Sequence, residues 1–199
     1  MENTKRTMSK VVQGAKDLLT KFGKAKEKIV IGKDDILNII PFSSEKIFLD
    51  EVTITGNKVT GKFLVTQEAC AGHEIGGQPI FRAVDIVETG AQLLGVWASQ
   101  FPELKGGLAF LSEIDFEIRA KFIKAVTPGK VLTLEITEKD GDDEEEKKNP
   151  KVVISGRPGR AVIRVIAEDI SVKVDKDKNK SAVIPLIKLG IFSPKSLAK

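Results

Sequence analysis

The sequence predicts an α+β fold, an antiparallel sheet curling about one principal helix, and three observations carry that expectation. Two short runs, "EVTITG" and "KVTGKFLVT", alternate apolar and polar residues across a Gly-Asn turn. A helical pattern then extends from about Arg82 to Ser99, apolar around most of its girth. A run of four or five further strands follows it. That order is not the strand-helix alternation that builds a parallel sheet.

Taken in order, residues 8–22 read as an amphipathic helix, with Val11, Val12, Ala15, Leu18, Leu19 and Phe22 at helical spacing and Gly23 ending it. The short helix "DDILNII" stops at Pro41, because proline disfavours helical geometry in the residue before it. After the two alternating strands comes the Gly-rich loop "AGHEIGG", and after it the long helix. "LAFLSEIDFEIRAKFI", "VLTLEITE", "VVIS" and "AVIRVIAEDISVKV" are the later strands, with turns at Pro128-Gly129 and Pro158-Gly159. Beyond Val174 a Lys/Asp-rich linker leads to a short apolar tail, "AVIPLIKLGIF", expected to dock on the body. The chain thus divides into a basic extension over 1–33, a main domain over 34–176 and a tail over 177–199.

Composition narrows the class. With 199 residues, 41% apolar and 30% charged, the chain is long enough to enclose a core and has the balance of a soluble globular protein. One cysteine excludes an internal disulfide and suits a reducing compartment, so a cytoplasmic location is expected. The alternative is organelle targeting through the N-terminal helix, although Asp17 and the scarcity of Arg there count against it. No apolar run approaches the ~18 residues of a membrane span. Residues 1–33 hold nine Lys or Arg with Phe22 the one aromatic residue among them, which speaks against nucleic-acid binding.

Chemistry concentrates in residues 70–92. Asp85, Glu88, Thr89 and Gln92 recur at spacings of three and four, which gathers them on one stripe of an otherwise apolar helix. Such a stripe either faces water or lines a pocket. Asp85 suits the positive end of the helix dipole, but Glu88 is past the first turn. An unpaired buried carboxylate costs several kcal/mol, so a sequence retains one there for a partner or a task. His73 is the only histidine and sits among glycines that permit close approach of a ligand. One His and one Cys do not make a metal site, and no cofactor is expected. Cys70 is read as a small apolar residue, which leaves His73 for proton transfer, with Glu88 holding or sharing the other proton.

Four stretches follow one another in order: "ILNIIPFSSEKIFLDEV" at 36–52, the glycine-histidine loop, "PIFRAVDIVETGAQ" at 79–92 and "KFIKAVTPGKVLTLEI" at 121–136. Together, over about residues 34–174, they resemble the β-hydroxyacyl-acyl-carrier-protein dehydratases of fatty acid synthesis. The resemblance implies a hotdog fold and loss of water from a (3R)-3-hydroxyacyl thioester to give the trans-2-enoyl product. It implies His73 as the base, Glu88 as the group that assists departure of the hydroxyl, and Gln92 as a supporting polar contact. Backbone N–H groups around Ala83 and Val84 would hold the thioester oxygen, with Gly72 and Gly77 shaping the loop beside it. The implied partners are acyl carrier protein or a CoA thioester, and a second copy of the chain, so that His73 and Glu88 meet across the boundary of a homodimer; assembly beyond the dimer is not legible. Arg119, Lys121 and Lys124 are candidates to receive an acidic carrier.

This chain departs from the family pattern in two places. The family loop reads glycine-histidine-phenylalanine-proline-glycine, and here it is "GHEIGGQP". Aligned without gaps the family histidine falls on Glu74, and a slip within the loop restores His73. Arg82-Ala83 replaces a proline-glycine pair at the helix start, putting a long cation at the mouth of the pocket. Two other functions fit the residues: a hotdog thioesterase using Glu88 or Glu74 to activate water, and a non-catalytic acyl-binding or scaffold protein. Glu68, five residues before His73, also resembles the spacing in (R)-specific enoyl hydratases, whose other residues match less well.

Overall fold

The computed structural model of the chain describes residues 28–40, 42–56, 58–100, 108–110, 117–137, 149–157, 160–175 and 180–192. The expected helix over 8–22 lies outside them. Strand β1 (Lys28–Gly32) leads into helix α1 (Lys33–Ile39). Strands β2 (Glu51–Thr55) and β3 (Lys58–Leu64) pair with Thr55 opposite Lys58, the register of the hairpin that the sequence predicts. Their alternation sorts the faces: Val52, Ile54, Val59 and Phe63 point into the core, while Lys62 and Glu51 pair outside at 2.8 Å.

A two-strand hairpin, β4 (Glu74–Ile75) and β5 (Gln78–Pro79), precedes the long helix α2 (Ala83–Ala98). The main sheet continues with β6 (Leu108–Phe110), β7 (Glu117–Phe122), β8 (Val131–Ile136), β9 (Lys151–Arg157), β10 (Arg160–Val174) and β11 (Ala182–Phe192). It is antiparallel throughout, in the order β1-β2-β3-β8-β10-β11-β6, with β7 also on β11 and β9 also on β10. The stretch expected as one strand over 108–123 is described in two pieces, both on β11.

Helix α2 packs against one face of this sheet. Glycines set the approach: a Cβ on Gly61 of β3 would stand 2.8 Å from Leu49 Cδ2 and 2.9 Å from Leu93 Cδ1. One on Gly90 would stand 2.9 Å from Ile187 Cδ1. Ile86, Leu93, Leu94, Val96 and Trp97 of the helix, with Leu132, Leu134, Ile170, Val172, Ile184 and Ile187 of the sheet, form one buried core.

Segments on either side of the expected main domain contribute strands to one sheet. β1 begins before residue 34 and pairs along β2, so part of the assigned N-terminal extension is an edge strand. The apolar tail joins the body as a strand of its sheet, with β10 on one edge and β6 and β7 on the other. Pro185, which interrupts its alternation, faces Asp169, where the ladder with β10 is broken between Glu168 and Ile170. Asp169 has φ +53, and the inward residues of β10 change there from Val165 and Ala167 to Ile170 and Val172.

Candidate active site

The loop carrying His73 is built by three glycines with positive φ: Gly72 at +74, Gly76 at +61 and Gly77 at +78. Gly76 and Gly77 form the two-residue turn of the β4–β5 hairpin, with Ile75 opposite Gln78, a turn that requires left-handed geometry at both positions. His73 sits at the base of that hairpin. Its N–H donates to Cys70 O at 3.1 Å and its carbonyl accepts from Ile80 N at 3.0 Å. The imidazole is half-buried, whereas Glu74, one residue along and opposite Pro79, is exposed. The departure from the family loop is therefore a small hairpin whose root is His73.

The polar stripe of α2 does not face water. Asp85, Thr89 and Gln92 are buried and Glu88 is half-buried. Gln92 Oε1 accepts from Phe48 N at 3.0 Å, and its Nε2 donates to Lys46 O at 2.7 Å and to Glu88 Oε1 at 3.1 Å. One amide thus ties the chain at 46–48 to the helix and holds the Glu88 carboxylate. Thr89 Oγ1 donates to the Asp85 carbonyl at 2.6 Å, a bond within the helix. Beside this stripe Phe48, Phe63 and Phe81 stack edge to face or tilted, with centroids 5.2–5.6 Å apart. Sequence reasoning missed this cluster, whose members come from three separate segments.

At the start of α2, Arg82 is the N-cap, and the N–H groups of Asp85 and Ile86 both reach its carbonyl, at 3.0 and 3.2 Å. The N–H groups of the exposed Ala83 and Val84 have no hydrogen-bond partner among the described residues, as the first turn of a helix dictates. The guanidinium of Arg82, half exposed at the helix start, folds forward onto Asp85, Nε to Oδ2 at 2.7 Å and Nη2 to Oδ1 at 2.9 Å. The carboxylate in turn raises the guanidinium pKa further above its ordinary value, through the hydrogen bond first and charge second.

Cys70 is buried, and burial first, then the Asp85 carboxylate, push its thiol pKa up. That is the reverse of an activated thiolate and agrees with its reading as a small apolar residue. Among the described residues no group of three or more His, Cys, Asp or Glu is placed to hold a metal ion. No helix among them is long and apolar enough to cross a membrane. The arrangement joins Glu88 to Gln92 and aligns Gly72 and Gly77 with the His73 loop. No hydrogen bond joins His73 to Glu88 within the chain among the described residues.

Several relatives share this sequence. The chain is 36% identical over 106 residues to the 3-hydroxyacyl-[acyl-carrier-protein] dehydratase FabZ of Enterococcus faecalis, covering 51% of this chain and 72% of that one. It is 38% identical over 107 residues to the FabZ of Ligilactobacillus salivarius, covering 52% and 74%. Among solved structures, the dehydratase heterocomplex ApeI:P of Xenorhabdus doucetiae superposes with a TM-score of 0.50 at 14% identity, over 84% of this chain and 95% of that one. No family model matches the sequence.

Proposed function

The chain belongs to the FabZ family of 3-hydroxyacyl-[acyl-carrier-protein] dehydratases, which are lyases of the hotdog fold, and we propose the steps by which its residues perform that elimination. The substrate is a (3R)-3-hydroxyacyl thioester on acyl carrier protein. His73 removes a proton from the carbon next to the thioester carbonyl. The Ala83 and Val84 N–H groups hold the carbonyl oxygen while negative charge gathers on it. Glu88 gives a proton to the departing hydroxyl, which leaves as water, and the trans-2-enoyl thioester remains. Gln92 acts on Glu88 rather than on substrate, because all its polar atoms are engaged within the protein.

The observation that carries the assignment of roles is the hairpin root. It supports His73 over Glu74, since the former is half-buried at the hairpin root while the latter is exposed. A homodimer completes the site by bringing His73 of one copy to Glu88 of the other. The outer edge of β7, with Phe122 and Ile123 exposed at 40% and 53%, is available for that pairing. Arg119, Lys121 and Lys124 lie exposed on and just after this strand and suit an acidic carrier. We place the reaction in the cytoplasm, on the bacterial relatives and on a thiol that needs no oxidising compartment.

The test is turnover of a 3-hydroxyacyl carrier-protein thioester followed by product mass. His73→Ala and Glu88→Gln are each expected to lower kcat by about a hundredfold or more with the thermal transition retained. Glu74→Ala is expected to leave kcat within about twofold of the wild type. Release of free thiol and fatty acid would instead identify a thioesterase. Undiminished turnover by His73→Ala would remove the histidine from the mechanism.

A further inference from the structure

Asp85 occupies the third position of α2, just inside the Arg82 N-cap. An acid there ordinarily turns back onto the free amides of the first turn, where the helix dipole attracts it. In this chain it does not. Both carboxylate oxygens are taken by Arg82, and the Ala83 and Val84 amides stay open. Asp85 has only 8% of its side chain exposed with the guanidinium over it, so without that partner an unpaired anion would sit at the helix start. It would occupy donors that the thioester oxygen needs, and it would repel the charge that gathers there. As a stabilising contact the pair counts for little, being an i,i+3 bridge with a half-exposed arginine.

Resting on the dehydratase reading, we propose that Arg82 is a positioning residue: by engaging Asp85 it keeps the Ala83 and Val84 N–H groups open and the helix start free of net negative charge. The cation that replaces the family's small helix-start pair and the carboxylate three residues on then form one device. Neither touches substrate, and removing only the cation is worse than removing both.

The experiment compares Arg82→Ala with the double variant Arg82→Ala/Asp85→Ala in the full chain. Arg82→Ala is expected to lower kcat about tenfold or more, with KM little changed. The double variant is expected to recover to within about threefold of wild type, a coupling that independent sites do not show. In ¹⁵N-resolved spectra, the Ala83 or Val84 amide proton of Arg82→Ala should move downfield and titrate with a carboxylate; in the double variant it should not. Arg82→Gln serves for the same measurements where Arg82→Ala does not fold. Unchanged kcat in the single variant, a double variant as slow as the single, or unmoved amides would each overturn the proposal. Wild-type protein without dehydratase turnover would reject the underlying function instead, and the amide spectra would still decide whether Asp85 turns back when released.

Discussion

Gln92 illustrates how one side chain can carry a site. A glutamine amide offers two donors and an acceptor, and here they reach Lys46 O, Glu88 Oε1 and Phe48 N. The sequence places Gln92 one turn after Glu88, so their contact follows from helical spacing. The partners at 46 and 48 do not, because they are more than forty residues away. Asp85 is a mixed case. Its first-turn position is legible and so is the dipole argument, but the bidentate grip of Arg82 depends on a rotamer that spacing leaves free. Cys70 gives the residue-scale prediction. Its folded-state pKa is raised, so the fold's preference for the neutral thiol is complete below the ordinary thiol range. That contribution to stability is lost as pH rises through the raised value. At pH 8 the native protein should react with iodoacetamide about tenfold or more slowly than the urea-unfolded chain, followed by mass spectrometry.

At the scale of elements, two glycine devices position the chemistry. In the β4–β5 hairpin, Gly76 and Gly77 close a turn that other residues enter only with strain, and that turn brings His73 to the hairpin root. The pair of adjacent glycines was visible in the sequence; the hairpin was not, since two strands of two residues leave no periodicity to read. Gly61 does the opposite work, removing a side chain so that Leu49 and Leu93 can pack against β3. Both contacts are leucine methyls that can shift only within a close-packed core. Gly61→Val is expected to lower unfolding free energy by about 1–3 kcal/mol, measured by urea titration. An unchanged midpoint would mean that the helix stands further from the sheet than these distances indicate.

Across the whole molecule, β10 is the spine. β11 runs along one edge, while β8 and β9 lie along the other, paired with residues 171–174 and 160–166 and separated by a gap between them. Asn149 bridges that gap. Its Nδ2 donates to Thr137 O at 2.8 Å and Glu168 O at 2.7 Å, and its Oδ1 accepts from Glu168 N at 2.9 Å. Asn149 is only 3% exposed, so losing the amide leaves backbone groups buried without partners. Asn149→Ala should cost about 2–3 kcal/mol in a thermal or urea transition, and Asn149→Asp, whose buried carboxylate would face two carbonyl oxygens, should cost at least as much. A smaller loss in Asn149→Asp would show that accepting from Glu168 N is the bond that matters.

What the sequence determined by itself was local: two alternating strands in a hairpin register, one apolar helix with a polar stripe, and strands in the later half. These are legible because periodicities of two and of 3.6 residues record which face of an element is buried. The tertiary structure decided the rest. It took the C-terminal run into the sheet interior despite Pro185, turned the polar stripe away from water, and paired Arg82 with Asp85. Strand neighbours and side-chain partners are chosen by packing among segments far apart in the chain, and no local period encodes that choice.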